Sequence, residues 1–185
     1  MTKTPPPILE TERLILRPFT LADTDFIIEL LNTEGFLKYI ADRNIKTNED
    51  AERYLLQGPL KSYATHGFGL CKILLKARNN EPEEAIGMCG LLQRDYLPNP
   101  DIGYALLPRY EGKGYAKESA KAVLRWGFAE RDCTTISAIV LPQNQVSVRL
   151  LERLGMTLQN KITPPETGEE LLLYSISAAH FVSAI

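Results

Sequence analysis

Asp101-Ile-Gly-Tyr-Ala-Leu-Leu107 runs directly into Pro108-Arg-Tyr-Glu-Gly112-Lys-Gly114-Tyr-Ala116, and the reading of this stretch decides the fold. Its first part is a short apolar run bounded by Pro100 and Pro108, which predicts a strand. Its last part opens the best amphipathic segment in the chain, from about Tyr115 to Arg131, where Ala116, Ala120, Val123, Leu124 and Phe128 share one helical face. A glycine-bearing strand-to-helix junction is an anion site. The first helical N–H groups have no intrahelical partner and sit at the positive end of the macrodipole, and glycine lets the backbone approach a ligand.

Spacing removes two familiar nucleotide motifs. The dinucleotide fingerprint requires a third glycine three residues after the second, and position 117 is Lys. The phosphate loop of nucleotide hydrolases requires Gly-Lys followed by Ser or Thr, whereas Gly112-Lys113 is followed by Gly114. Lys113, Lys117, Lys121 and Arg125 recur every four residues along one face. Cations at a helix start oppose the dipole, so Lys113 and Lys117 fit an anion bound there; an ordinary solvated lysine face is the competing account.

Outward from the junction, Arg13-Leu-Ile-Leu-Arg17 predicts a first strand ending at Pro18, after a lead-in over residues 1–9 stiffened by Pro5 to Pro7. Thr20-Leu-Ala-Asp23 reads as a capping box before the helical run Phe26, Ile27, Leu30, Leu31. Thr47-Asn-Glu-Asp50 repeats the signal and opens a helix toward Tyr63 that Gly58-Pro59 must bend or interrupt. Phe68 to Lys76 and Ala85 to Gln93 predict an antiparallel pair joined by the polar link Ala77 to Pro82. Thr135 to Leu141 predicts a strand, Val146 to Leu154 a helix stopped by Gly155, and Glu170 to Ile176 a last strand. The expected fold class is α/β of the mixed, α+β kind rather than a pure doubly wound sheet.

With 185 residues, 44% of them hydrophobic, one sizeable core and a single domain over 1–185 are expected. A net charge of -2 argues against broad nucleic-acid binding. The three cysteines, Cys71, Cys89 and Cys133, are widely spaced, and with only two histidines, His66 and His180, no metal site is expected. The N-terminal residues lack the apolar core of a signal peptide and no run of 18 apolar residues occurs, so the chain reads as cytoplasmic, with no membrane partner. Nothing in the sequence decides the oligomeric state, monomer or homodimer.

Arg109-x-x-Gly112-x-Gly114, after a strand and opening a long helix, resembles the acyl-coenzyme A signature of the GCN5-related N-acetyltransferases (GNAT). Glu10-Thr-Glu-Arg-Leu-Ile-Leu-Arg-Pro18 with Asp23 resembles the N-terminal strand and helix of the ribosomal-protein N-terminal acetyltransferase, RimJ/RimL-like, branch. Ile86-Gly87, Gly90-Leu91, Asp101-Ile-Gly-Tyr104, and Asn144-x-x-Ser147 through Leu154-Gly155-Met156 follow in that family's order. The resemblance implies a GNAT fold: a central mixed, mostly antiparallel sheet, helices on both faces, and a parallel strand pair, Asp101 to Leu107 and Thr135 to Leu141, that splays to admit acyl-coenzyme A. It implies that the pantetheine arm pairs with backbone at Ala105, Leu106 and Leu107. It assigns the pyrophosphate to the loop of Arg109, Tyr110, Glu111, Gly112, Lys113, Gly114, Tyr115 and Ala116.

The implied reaction is transfer of an acetyl group from acetyl-coenzyme A, as cosubstrate, to a primary amine by direct attack in a ternary complex, with a ribosomal or other protein N-terminus as one acceptor. Such a transfer needs a neutral amine, stabilisation of a carbonyl oxyanion, and a proton for the departing thiolate. The resemblance places Ser147 near the thiol as proton donor; many relatives carry a tyrosine four residues later, where this chain has Leu151. Asn144 matches a position that holds the cofactor or a water, with a helix cap as its competing role. Arg149 and Arg153 are candidates for the nucleotide phosphate, against plain solvent exposure. Asp101 and Tyr104 are candidates for handling the amine proton, and Glu34, in the loop after the first helix, for holding an incoming ammonium group. Cys89, in an apolar strand with no patterned histidine, reads as packing rather than nucleophile. The alternatives are a noncatalytic acyl-coenzyme A binding or regulatory module, a small-molecule amine acetyltransferase, and a nucleotide-binding domain.

Overall fold

A computed structural model of the chain describes residues 6–77, 82–165 and 167–183. Most of the link expected between the two hairpin strands, 78–81, lies outside the described residues. Elements occur in the order β1 (Leu9–Glu10), β2 (Leu14–Pro18), α1 (Thr24–Leu31), α2 (Glu34–Tyr39), α3 (Asn48–Leu55), α4 (Lys61–His66), β3 (Leu70–Leu75), β4 (Glu84–Leu92), β5 (Asp101–Leu106), α5 (Tyr115–Glu130), β6 (Thr135–Val140), α6 (Gln145–Arg153), β7 (Thr157–Ile162), β8 (Leu171–Ser177) and α7 (Ala178–Ser183). The eight strands form one sheet in the order β1-β2-β3-β4-β5-β6-β8-β7. β5 and β6 are parallel, with Asp101 opposite Ser137, and the other registered pairs are antiparallel. The fold is therefore mixed α/β with a mostly antiparallel sheet, as expected from the sequence.

Contacts divide the chain into two compact units, one of residues up to Leu92 together with Gly103–Val123, the other of Gln93–Ile102 with Leu124–Ile185. In the first unit β2 alternates, with Leu14 and Leu16 fully buried and Ile15 between them half-buried. Both capping boxes form: Asp23 accepts from Thr20 N at 2.8 Å, and Thr47 Oγ1 accepts from Asp50 N at 3.2 Å. Each satisfies helix-start donors locally, which is why a four-residue signature suffices to place them. α1 packs on α3, and its Ile27, Leu30 and Leu31 are all at or below 1% exposure. Each such burial is worth about 1.5–3 kcal/mol. At Gly58-Pro59 the helix does not break. A wide π turn over Leu56–Leu60 carries it from α3 into α4, and the looser hydrogen-bond spacing absorbs a proline that has no N–H to give.

Close backbone approach explains two glycines of β4. A Cβ on Gly90 would lie 2.1 Å from the Gly69 carbonyl oxygen, and one on Gly87 2.3 Å from that of Ala105. The first unit also holds a buried ion pair. Lys72, on β3, donates to Asp23, whose side chain is 9% exposed against 7% for the lysine. Beside it the Tyr63 hydroxyl donates to Leu70 O and accepts from Phe19 N.

In the second unit β6 pairs with β8 from Thr135 opposite Ser177 to Val140 opposite Leu172, and β8 with the edge strand β7. α6 buries Val148 and Leu151, and Phe181 of α7 meets Phe128 with ring centroids 5.3 Å apart.

Four elements went unread in the sequence: β1, α2, β7 and α7. Leu9, assigned to the lead-in, pairs with Leu16 in the sheet. Glu34 is not in a loop but is the first residue of α2, behind Thr33 in extended conformation.

Candidate active site

Leu107, just past β5, donates its N–H to Ile86 O at 2.9 Å. One 3-10 turn, Pro108–Tyr110, then follows. Glycines 112 and 114 follow with φ of 71° and 85°, the left-handed region that disfavours a Cβ. The two residues thus double the chain back so that α5 begins at Tyr115. A Cβ on Gly112 would meet nothing within 4 Å, so conformation rather than space demands glycine there. Glu118 N, donating to Gly114 O at 3.1 Å, makes the first bond of the helix. By helix geometry the N–H groups of Tyr115, Ala116 and Lys117 precede it. The glycine loop thus leads directly into a helix start, and Lys113 and Lys117 are exposed beside it.

The loop is braced by aromatic and charged side chains. Tyr110 is buried, with the Lys113 ammonium 5.3 Å and the Arg109 guanidinium 5.2 Å from its ring centre and the Tyr115 ring 6.4 Å away. Arg109, expected on the cofactor, is half-exposed and reaches Glu29 of α1 at 2.7 Å and Glu84 of β4 at 3.4 Å. Two carboxylates therefore already answer its charge. Glu111 is exposed. Ala105 and Leu106 are half-buried in β5, as is Tyr104, while Leu107 is 1% exposed.

A contributor that the sequence reading passed over is Arg13, just before β2. Glu118 of α5 accepts from Arg13 N at 2.9 Å, from its Nε at 2.6 Å, and from the Thr11 hydroxyl at 2.6 Å. Arg13 Nη1 donates to Lys113 O at 3.1 Å, and its guanidinium lies 4.5 Å from the centre of the Tyr115 ring. Burial pushes the Glu118 carboxyl up, but the bonds from Thr11 and Arg13 together hold it below its ordinary value.

In the second unit, Asn144 Oδ1 accepts from Ser147 N at 3.2 Å, so Asn144 does cap α6. Ser147 sits in the first turn, half-buried, while Arg149 and Arg153 are exposed. Leu151, where many relatives carry a tyrosine, is 1% exposed and belongs to the core. Asp101 is already paired. It is 1% exposed and both its oxygens accept from Arg94 Nε at 3.0 Å. Burial raises its carboxyl above the ordinary value against the pull of Arg94. Glu34 is exposed on α2.

Cys89 is fully buried and burial pushes its thiol up to about 12, so it is no thiolate at neutral pH. Among the described residues no group of three or more His, Cys, Asp or Glu is placed to hold a metal ion. Among the same residues no helix is long and apolar enough to cross a membrane.

A mixed sheet with one parallel pair, whose β5 leads through a left-handed glycine loop to a helix start, is the arrangement expected of an acyltransferase. The chain belongs to the GNAT acetyltransferases: residues 13–157 match the family model described as acetyltransferase (GNAT) domain. It is similar to the uncharacterized N-acetyltransferase YnaD of Bacillus subtilis, 28% identical over 148 residues that make up 80% of this chain and 81% of YnaD. An acetyltransferase structure from Agrobacterium tumefaciens superposes with a TM-score of 0.75 at 27% identity, covering 92% of this chain and 94% of that one. The fold is also shared by RimL, a ribosomal L7/L12 alpha-N-protein acetyltransferase in complex with coenzyme A, at a TM-score of 0.76 and 17% identity, over 92% of this chain and 98% of RimL. This chain is therefore an acetyltransferase, and the family's acetyl donor is acetyl-coenzyme A.

Proposed function

We propose that the chain transfers acetyl from acetyl-coenzyme A directly to a primary amine, with a protein N-terminal α-amine as acceptor. The observation that carries the donor half is the loop, in which Gly112 and Gly114 at φ of 71° and 85° lead into α5. Its geometry suits the pyrophosphate, and the residues from Arg109 to Ala116 would hold it, with Lys113 and Lys117 adding positive charge. Ala105, Leu106 and Leu107 would offer backbone to the pantetheine arm. The donor supplies a thioester carbonyl.

The amine nitrogen forms the new C–N bond as the C–S bond breaks, and the amine proton leaves as the thiolate gains one. Ser147 is assigned to the thiolate because no tyrosine stands at position 151. An α-amine has a pKa of about 7.7–8.0 and is partly neutral near pH 7.5, so a strong base is unnecessary. That lessens the consequence of Asp101 being bound to Arg94 and keeps Tyr104 as the other candidate on β5. The acceptor half draws support from RimL and from the sequence resemblance around Glu10 to Pro18.

The test is an acceptor screen with acetyl-coenzyme A and mass-spectrometric detection, comparing peptides with free N-termini, their N-blocked counterparts carrying lysine, and small polyamines. Acetylation confined to free N-termini supports the reading. Transfer to small amines alone assigns the chain to that acceptor class instead.

A further inference from the structure

Arg13 is tied at every polar group it has. Its carbonyl accepts from Lys76 N, just past β3, at 2.9 Å, while its own N–H and Nε both go to the Glu118 carboxylate. Thr11 completes the clamp, giving its hydroxyl to the same carboxylate and its carbonyl to Lys76 Nζ at 2.7 Å. The guanidinium held in this way projects at the glycine loop. Nη1 donates to Lys113 O at 3.1 Å, and Nη2 lies 3.3 Å from where a Cβ on Gly114 would stand. The ring of Tyr115 lies against its face.

The direction of one bond follows. A trans peptide sets the C=O of one residue and the N–H of the next on opposite sides. With the Lys113 carbonyl turned to Arg13, the Gly114 N–H must point away from it. In a residue with φ of 85° that N–H is otherwise free to swing, because glycine has few steric preferences.

We infer that Arg13 is a positioning residue for the donor. It holds the Lys113–Gly114 peptide so that the Gly114 N–H faces a bound pyrophosphate, and it does so without touching the ligand. The inference rests on the coenzyme A reading of the loop. The planar fork matters more than the charge, since one guanidinium serves Glu118 and Lys113 O at once while an ammonium on a flexible stem offers no such fixed pair.

Titration calorimetry on the full chain tests this without knowledge of the acceptor. Coenzyme A and 3′-dephospho-coenzyme A carry the pyrophosphate, and pantetheine lacks it. The expected result for Arg13→Ala is an affinity for both pyrophosphate ligands about tenfold weaker, equal to about 1.4 kcal/mol, with a much smaller change for pantetheine. Arg13→Lys should resemble Arg13→Ala. Equal losses for all three ligands would mean a merely structural role and overturn the inference, as would Arg13→Lys binding like the wild type, which would make charge the whole effect. A wild-type chain that binds pantetheine as tightly as coenzyme A removes the loop reading itself, and this inference with it. A wild type that discriminates while Arg13→Ala discriminates equally removes the Arg13 inference alone. Thermal unfolding run on each variant checks that the compared chains are folded.

Discussion

Gly112→Ala isolates the conformational demand of the loop, because the added methyl would meet no atom within 4 Å. Only the backbone objects. An L residue in the left-handed region costs about 1–2 kcal/mol, and alanine returns about 0.4–1 kcal/mol by narrowing the unfolded ensemble. The net penalty on the observed geometry, at φ of 71°, is on the order of 1 kcal/mol. The unfolded-ensemble gain does not enter binding, so if the free loop relaxes and coenzyme A requires that geometry, the dissociation constant should rise about 5–30-fold. Asparagine tolerates the left-handed region better than alanine, so Gly112→Asn should lose roughly half as much. Gly114→Ala should lose more than Gly112→Ala, since its methyl also meets Arg13 Nη2 at 3.3 Å. Calorimetric titration of the three variants gives the ranking, and thermal unfolding should show a shift of no more than about 2–4 °C. The reasoning fails if alanine at 112 binds coenzyme A as tightly as glycine, or if asparagine is no better than alanine.

Other outcomes follow from the same structure. Asp23→Ala strands the Lys72 ammonium at 7% exposure and should cost about 3–5 kcal/mol in denaturant unfolding, much of it recovered in the double variant Asp23→Ala with Lys72→Met. The Glu118 carboxyl is held below its ordinary value in the folded chain, so its stabilisation is complete above the unfolded value and fades as pH falls through the folded one. Glu118→Gln should therefore unfold at a lower temperature than the wild type at neutral pH, with the gap closing in acid. Ser147→Ala should lower kcat about a hundredfold with coenzyme A affinity retained, and full turnover at every pH would remove Ser147 as the acid.

Sequence legibility followed the range of each interaction. Capping boxes act across three residues, and both were placed correctly from Thr20 to Asp23 and from Thr47 to Asp50. Alternating apolar strands such as Leu14–Pro18 announce their buried face. β7 announces nothing, because Thr157 to Asn160 and Lys161 are all exposed on an edge strand and no apolar period is required. β1 is two residues long, and α2 has six, with a glycine at its second position. The glycine loop was legible because left-handed backbone selects glycine. Its brace was not, since Arg13 and Glu118 stand 105 positions apart and neither carries a local motif. The Arg94 partner of Asp101 was not legible either: it is near in sequence, but nothing in the residues between shows that the two are packed together.

The glycines of β4 set a limit on how this chain can vary. At Gly90 and Gly87 the obstruction is a carbonyl oxygen of a neighbouring segment, 2.1 and 2.3 Å from the position of a Cβ, and backbone cannot step aside as a side-chain tip can. Gly58, in the π turn, has nothing within 4 Å and no left-handed φ. A library sampling all residues would thus find positions 87 and 90 closed and position 58 open. The closed pair borders Ala105 on one side and Gly69 on the other, so drift in this enzyme is forbidden first where strands touch backbone to backbone.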